Sequence, residues 1–168
     1  MTAGHLCIKN NMKNLILFAS ITLASGMLFT NLYTSLVEAK SWGADIPNSI
    51  ATAREYYKVV NPGVFFRMFS PINQLLGILA VILFWKSSPS IRLYLIIACV
   101  MYMLAEGLTF MYFYPRNDIM FRNGDLNDVA LLKRVWSEWS FMNWIRTGVL
   151  VVGIFFSFLS LHKIFSLN

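Results

Sequence analysis

The stretch IRLYLIIACVMYMLAEGLTFMYFY, residues 91–114, decides the fold. A helix needs about 20 largely apolar residues to cross a bilayer, and this stretch meets that length. Only Arg92, at its beginning, and Glu106, in its interior, carry a charge. Three further apolar blocks occur in the chain, so we predict four spans at about 14–36, 64–86, 91–114 and 140–165. The predicted fold class is all-α, a transmembrane four-helix bundle.

Composition agrees with a membrane protein. Hydrophobic residues make up 57% of the chain, charged residues 13%, and the mean hydropathy is +0.59. The 168 residues are expected to form a single integral membrane domain. The first apolar block is longer than the core of a secretory signal, and no small-residue cleavage site follows Leu36, so we interpret it as a membrane helix.

The distribution of basic residues predicts an orientation. Four spans place both termini and the short loop 86–92 on one side of the membrane, and that side carries no acidic residue. Lys and Arg in short loops mark the cytoplasmic side, so both termini are expected in the cytoplasm and the protein in a plasma or inner membrane. The basic residues on that side are Lys9, Lys13, Lys86, Arg92 and Lys163.

The two longer connections are predicted to form a cap on the outer side. Residues 38–70 contain a turn at 45–48, then an amphipathic helical run from Ser49 to about Val60, stopped by Asn61-Pro62-Gly63. The second connection is predicted as a loop from Pro115 to about Asp128, followed by a helix that continues into the fourth span. A helix and loop on each connection would cover one end of the bundle.

Several function classes are disfavoured by the residue types present. The net charge of +6 is not gathered into a basic stripe with stacking aromatics, so no nucleic acid is expected as a partner. Trp42 and Trp85 lie near predicted helix ends and are interpreted as interfacial belt anchors. No phosphate-binding, dinucleotide-binding or hydrolase motif is present in the sequence.

The sulfur and imidazole side chains do not predict a redox or metal centre. Cys7 lies in the amino-terminal tail and Cys99 in the third span, so they form no C-x-x-C pair. His5 and His162 both lie at the cytoplasmic end, which argues against a haem or zinc site within the bilayer. We therefore predict no metal ligand set and no cofactor.

Polar side chains at helical spacing predict a pocket in the outer half of the bundle. A charge near the bilayer centre costs roughly 2.5–3.5 kcal/mol, so Glu106 and Arg146 are expected to face inward and share one site. The alternative is a buried ion pair that only sets helix register. A seam of small residues on span one, Thr22, Gly26 and Thr30, is expected to allow close helix approach. The polar residues at the same predicted level are Asn31, Asn73, Gln74, Tyr102, Thr109, Trp139, Asn143 and Thr147.

A family resemblance follows from these positions. The pattern W-x-x-x-N-x-x-R-T, here Trp139, Asn143, Arg146 and Thr147, resembles the signature of small four-helix membrane proteins grouped with anthrone oxygenases. The segment 61–66 before span two is similar to that family as well. A group of residues in and after span three also resembles the pattern of that family, namely Tyr102, Gly107, Thr109, Pro115 and Asn117.

The resemblance implies oxidation of a hydroxylated tricyclic aromatic by molecular oxygen, without metal or flavin. It would make Glu106 the base, with Arg146 and Asn143 holding the developing oxyanion. Tyr102, Phe110, Phe113 and Trp139 would stack on a flat ligand. The remaining expected ligand-binding residues are Asn31, Asn73, Thr109, Asn117 and Thr147.

Two other classes remain open from the sequence. The first is a non-catalytic binder or carrier of a lipid or quinone-like molecule, which would use the same pocket. The second is an accessory subunit whose cap docks a partner membrane protein, and a homo-oligomer is also possible. Membrane lipids and a hydrophobic small molecule are the expected partners. An aromatic cavity beside Glu106 would favour ligand binding or chemistry, whereas a fully packed interior would favour the accessory role.

Overall fold

The structure, a computed structural model, describes the backbone of residues 2–166 and the side chains of residues 12–166, so the side chains of His5, Cys7 and Lys9 lie outside the described part. This part is helical with no strand. Three π-helical segments, π1 (Thr34–Glu38), π2 (Thr109–Phe113) and π3 (Ile119–Asn123), lie between or after α-helices. The α-helices are α1 (Thr2–Tyr33), α2 (Ala39–Trp42), α3 (Asn48–Tyr56), α4 (Pro62–Leu83), α5 (Pro89–Leu108), α6 (Tyr114–Asp118) and α7 (Val129–Ser166).

Four helical stretches are long and apolar enough to cross a membrane. They are Met12–Trp42, Pro62–Leu83, Pro89–Asn123 and Val129–Ser166. The predicted all-α bundle is therefore confirmed. Neighbours pack in the ring α1, α4, α5, α7 and back to α1, with the α5–α7 contact the most extensive. Helices suit this environment because they satisfy their backbone hydrogen bonds internally.

The interior of the bundle combines small side chains with large apolar ones such as Leu17, Leu95 and Leu150, and many other large apolar side chains face outward. Because lipid tails are as apolar as leucine, membrane helices associate through close packing, and small residues permit it. The bulky Tyr102 is also buried, and it fits because Gly153 leaves room beside its ring. The buried small residues include Ser20, Ala24, Ala80, Ala98, Ala105, Ser157 and Ser160, and the outward ones include Leu15, Phe29, Leu75, Ile82, Phe141 and Phe155.

The predicted small-residue seam on α1 was wrong. Thr22 and Gly26 are exposed, and they line a shallow apolar groove on the outer surface of the helix pair α1–α4. The face of α1 that packs inward carries Leu17, Ala24 and Asn31 instead. Small residues recur on more than one face of α1, so their spacing alone did not indicate which face meets α7.

The cap forms as predicted, but with more helix. Instead of a loop from Pro115, the chain stays helical through π2, α6 and π3, and non-helical backbone is confined to residues 124–128. Proline lacks an N–H donor, and here it stands in the first turn of α6, where that donor is not needed. Arg54 of α3 ties the two connections together because it donates to the carbonyls of Met120 (2.7 Å), Ile119 (3.0 Å) and Gly124 (2.9 Å).

Candidate functional site

The guanidinium of Arg146 lies at the level where the bundle meets the cap. Arg146 projects from α7 and is only 5% exposed. Its Nη2 donates to Asn31 Oδ1 and Asn143 Oδ1, both at 2.6 Å, and its Nη1 donates to Thr109 Oγ1 at 3.2 Å. Three helices, α1, α5 with π2, and α7, therefore each supply an oxygen that holds this one cation.

Asn31 and Asn143 are fully buried and brace one another. Asn31 Nδ2 donates to Thr147 Oγ1 at 2.7 Å, and Asn143 Nδ2 donates to Ser35 Oγ at 2.6 Å. Each amide also donates to the other residue's backbone carbonyl, at 3.4 and 3.3 Å. A satisfied buried network of this kind fixes the geometry of its members. Arg146 is thus held in one orientation by side chains whose own positions are fixed.

The charge of Arg146 is not neutralised by an acidic contact. Within residues 12–166, the three ion pairs closer than 4 Å are Lys58–Glu55, Arg116–Glu138 and Arg122–Asp118. Glu106 therefore makes no direct ion pair with Arg146, and the alternative of a buried pair that only sets helix register is not formed. Two aromatic rings flank the guanidinium instead, with the centroid of Phe113 at 4.0 Å and that of Phe66 at 5.1 Å. Buried charges are usually paired, so an unpaired one next to a cavity is a functional candidate.

Glu106 does share a small polar chamber with Arg146. The chamber has a volume of about 10 Å³, enough for about one water molecule. Ser70 Oγ, Asn73 Oδ1 and Arg146 Nε are buried there without a hydrogen-bond partner in the described part of the chain. Three unsatisfied polar atoms around a space of that size are the environment that an ordered water occupies.

A much larger cavity, of about 430 Å³, lies between the chamber and the cap. Phe66, Thr109 and Arg146 line both spaces and so separate them. The size lies in the range typical of small-molecule sites. The cavity walls come from α4, α7, the extensions of α1 and α5 beyond their α-helical parts, and the first connection. They carry seven aromatic residues: Trp42, Tyr57, Phe66, Phe113, Tyr114, Phe121 and Trp139.

The aromatic wall is held by edge-on ring contacts. The ring of Trp139 packs against Trp42 (centroids 5.2 Å apart) and against Phe113 (5.3 Å), and its Nε1 donates to Asn117 Oδ1 at 2.8 Å. Trp42 also contacts Phe121 at 4.8 Å. The interpretation of Trp42 as a belt anchor was wrong, because Trp42 is 6% exposed and lines the cavity. Helix α1 continues through π1 into α2, and this extension carries Trp42 under the cap.

Tyr57 forms part of the same wall from the first connection. Its hydroxyl donates to Glu38 Oε1 at 2.7 Å, which ties the linker after α3 to the end of π1. Burial, followed by the hydrogen bond to the Glu38 carboxylate, raises the pKa of Tyr57 above its ordinary value of 10.0. Tyr57 therefore stays a neutral hydrogen-bond donor throughout the physiological pH range.

The structure sorts the predicted site residues into four places. Arg146, Thr109, Phe113, Asn117 and Trp139 line the large cavity. Glu106, Asn73 and Tyr102 line the chamber, where the Tyr102 hydroxyl lies 2.9 Å from Ser157 Oγ. Asn31, Asn143 and Thr147 form the buried network behind Arg146, and Phe110 is 56% exposed on the outer surface of π2 against Tyr114.

The sequence did not indicate which side chains the cap and the helix ends beneath it contribute to the cavity. The amphipathic pattern of α3 indicated a helix over the bundle mouth, but it did not indicate what its basic residue Arg54 would contact. In the side chains of residues 12–166, no three His, Cys, Asp or Glu residues are grouped so that they could hold a metal ion. The cavity residues that were not predicted from the sequence as site residues include Thr34, Trp42, Arg54, Tyr57, Lys58, Phe66, Arg67, Tyr114, Asp118, Phe121 and Arg122.

These observations define a multi-pass membrane protein with four apolar helices and a capped aromatic cavity above a buried arginine. The family described as Anthrone oxygenase matches residues 65–156, which is more than half of the chain. The chain belongs to this family. The matched range contains Glu106, Trp139, Asn143 and Arg146, and it begins after Asn31. Searches of curated proteins and of solved structures returned no match.

Proposed function

We propose that this protein is a cofactor-independent oxygenase that converts the activated methylene of a hydroxylated polycyclic aromatic into a ketone. The observation that carries the proposal is the unpaired guanidinium of Arg146 at the floor of an aromatic cavity of about 430 Å³. An aromatic cavity next to a fixed cation suits a flat substrate that becomes an anion during reaction. The family membership supports the same reaction class.

The overall reaction balances without any further redox partner. A methylene, R₂CH₂, and O₂ give the ketone R₂C=O and one H₂O. Removal of one methylene proton gives a carbanion whose charge is delocalised onto the ring oxygen as an enolate. This electron-rich anion reduces O₂ and combines with it to form a carbon–oxygen bond and, after protonation, a hydroperoxide. Loss of the second methylene proton with cleavage of the O–O bond forms the carbonyl and releases the other oxygen as water.

The residues of the site would divide this work. Arg146 would hold the enolate oxygen, because its guanidinium is fixed in place before the charge develops. Asn31 and Asn143 act through Arg146 as positioning residues. Glu106 would accept the proton across the chamber through an ordered water, since its side chain lines the chamber and not the cavity. Trp139 and its neighbouring rings would hold the aromatic plane.

A second candidate is a non-catalytic binder of a similar flat ligand. The observation that favours it is the separation of Glu106 from the large cavity by Phe66, Thr109 and Arg146. A binder would use the same rings and the same cation but would need no base. The open cavity gives less support to a purely accessory subunit, for which a packed interior was expected.

The function is tested with dithranol, a dihydroxyanthrone, as the substrate probe. Purified protein in detergent, with a metal chelator and no flavin or nicotinamide, should consume O₂ and form the anthraquinone faster than the spontaneous reaction at neutral pH. Glu106→Gln should lower this rate by about 100-fold or more, the typical loss when a general base is removed. Binding of the anthraquinone product should persist, because the amide keeps the shape of the side chain.

The matched control is Glu55→Gln, which removes one acidic charge from an exposed position of α3 and should leave the rate unchanged. If wild-type protein binds the anthraquinone but never exceeds the spontaneous rate, the binder is the better assignment. A Glu106→Gln variant that turns over like wild type would exclude Glu106 as the proton acceptor.

We propose in addition that the cap faces the exterior and that the termini are cytoplasmic. Lys86 and Arg92 flank the short connection on the side opposite the cap, and Lys163 lies near the end of α7 on that same side. This is the arrangement that positive charge in short loops favours on the cytoplasmic face. Single cysteines at exposed Lys86 and exposed Lys133, in a background in which both Cys7 and Cys99 are replaced by Ala, should be labelled by a membrane-impermeant maleimide from opposite sides of the membrane.

A further inference from the structure

The side chains that line the large cavity are strongly unbalanced in charge. Five of them are cationic, Arg54, Lys58, Arg67, Arg122 and Arg146, whereas Asp118 is the single acid in the lining set. They come from α3, the linker after it, α4, π3 and α7, so several elements bring positive charge to one space. A cleft with charge of one sign and apolar walls focuses its field on the ligand.

The existing hydrogen bonds and ion pairs of these cations show which of them are already bound within the protein and which are available to a ligand. The guanidinium of Arg54 is taken up by three backbone carbonyls. Lys58 pairs with Glu55 at 3.4 Å and Arg122 with Asp118 at 3.2 Å, and both pairs are exposed. Exposed ion pairs between residues close in sequence contribute little to stability, so either cation can exchange its carboxylate partner for a ligand.

Arg67 is the cation at the cavity rim that remains without an acidic contact. It stands on α4 next to Phe66, is exposed, and has no carboxylate within 4 Å among the described side chains. Arg146, at the buried floor of the cavity, likewise has no carboxylate within 4 Å among the described side chains. The cavity therefore presents two guanidinium groups that have no carboxylate within 4 Å among the described side chains, one buried at the floor and one exposed at the rim.

We infer that the ligand of this cavity is an aromatic acid, a flat polycycle with a permanent carboxylate in addition to its phenolic oxygens. This deepens the function proposed above and rests on the same cavity. The phenolic oxygen meets Arg146 at the floor, and the carboxylate meets Arg67 at the rim, with Arg122 and Lys58 nearby. Arginine suits a carboxylate because its planar fork can donate two parallel hydrogen bonds.

The inference is tested by binding of a matched pair of anthraquinones. Rhein and chrysophanol differ only in a carboxylate in place of a methyl group. Protein in discs of zwitterionic phosphatidylcholine is titrated with each, and binding is followed by quenching of tryptophan fluorescence, because Trp42 and Trp139 line the cavity. Rhein should bind at least about tenfold more tightly, the effect expected of one charge-assisted hydrogen bond.

Arg67→Gln should remove most of that preference by weakening rhein alone, with the affinity for chrysophanol unchanged. Lys133→Gln is the control, since it removes one exposed positive charge of α7 that does not line the cavity. Equal affinity of wild type for the two compounds, or an undiminished preference in Arg67→Gln, would overturn the inference. So would loss of the preference when anionic phosphatidylglycerol replaces part of the lipid, which would assign the rim to lipid headgroups.

The outcome can be separated from that of the oxygenase proposal. Dithranol turnover is measured on the same preparations, and dithranol carries no carboxylate. Turnover without a preference for rhein would remove only the aromatic-acid inference. A preference for rhein that depends on Arg67, without turnover of either dithranol or rhein anthrone, the anthrone that carries the carboxylate, would support the aromatic-acid ligand and remove the oxygenase function.

Discussion

Asn31→Asp should sharply reduce the activity of the site while leaving the fold intact. The substitution changes one atom of the side chain and places a carboxylate where Asn31 Oδ1 now accepts from Arg146 Nη2 at 2.6 Å. Arg146 would then have an internal counter-ion. A guanidinium that is already neutralised attracts a substrate oxyanion much less strongly. The variant thus tests the charge of Arg146 without removing its side chain.

The size of the effect follows from the contact that is lost. A hydrogen bond to a charged group contributes about 1.5–3 kcal/mol, and 1.36 kcal/mol corresponds to a factor of ten in rate. The rate of dithranol oxidation should therefore fall by about 10- to 150-fold. Stability should change little, because the new ion pair offsets the loss of the hydrogen bonds that Asn31 Nδ2 donates to Thr147 Oγ1 and to the Asn143 carbonyl. We expect a net change in unfolding free energy within about 1 kcal/mol.

The assay compares O₂ consumption and thermal unfolding of the variant with those of Asn123→Asp. Asn123 is exposed at the cap end and does not line the cavity, so its substitution changes the net charge equally. Asn143→Asp is a second route to the same neutralisation, since Asn143 Oδ1 also accepts from Arg146 at 2.6 Å. Wild-type turnover in both folded variants would refute the role of Arg146 as a free cation.

Two further predictions concern packing. Gly153→Ala should lower the free energy of unfolding by about 1–3 kcal/mol, because an added Cβ would lie 2.7 Å from Tyr102 Cε1. Gly148→Ala should be neutral or slightly stabilising, since nothing lies within 4 Å of its added Cβ. Thermal unfolding in detergent distinguishes the two variants, and equal melting temperatures would contradict the packing argument. Arg54→Met should loosen the cap, because three backbone carbonyls lose their hydrogen-bond donor. Limited proteolysis should then cut the segment 57–61 at least several-fold faster than in wild type, with Lys40→Met, at an exposed position, as the control. Unchanged cleavage would show that Arg54 does not hold the cap.

The helices could be predicted from local pattern, and their lateral arrangement could not. Length and hydropathy indicated four spans, and the Asn61-Pro62-Gly63 stop indicated where α4 begins. The loop predicted from Pro115 failed because a proline in the first turn of a new helix is compatible with continued helix. The first span was predicted to end at Leu36, but the helix continues through π1 and α2 as far as Trp42. Trp42 was therefore assigned to the lipid interface, whereas it is buried under the cap.

The partner of Arg146 shows most clearly where sequence reasoning stops. Charge and depth correctly placed Arg146 and Glu106 at the same level, and helical spacing correctly placed Trp139 and Asn143 on the buried stripe of α7. Complementary charge then suggested Glu106 as the partner. The structure gives that role to Asn31, which is 115 residues away in the chain.

The sequence by itself determined the class of the protein. Apolar length specifies spans, proline and glycine specify where helices begin and end, and helical period specifies which residues share a face. Tertiary structure alone decided which faces meet, because rotation of α1 by a fraction of a turn exchanges the Gly26 face for the Asn31 face. That rotation is set by packing with α4 and α7 over the whole helix length, so the unpaired charge of Arg146 and the cavity above it exist only in the assembled bundle.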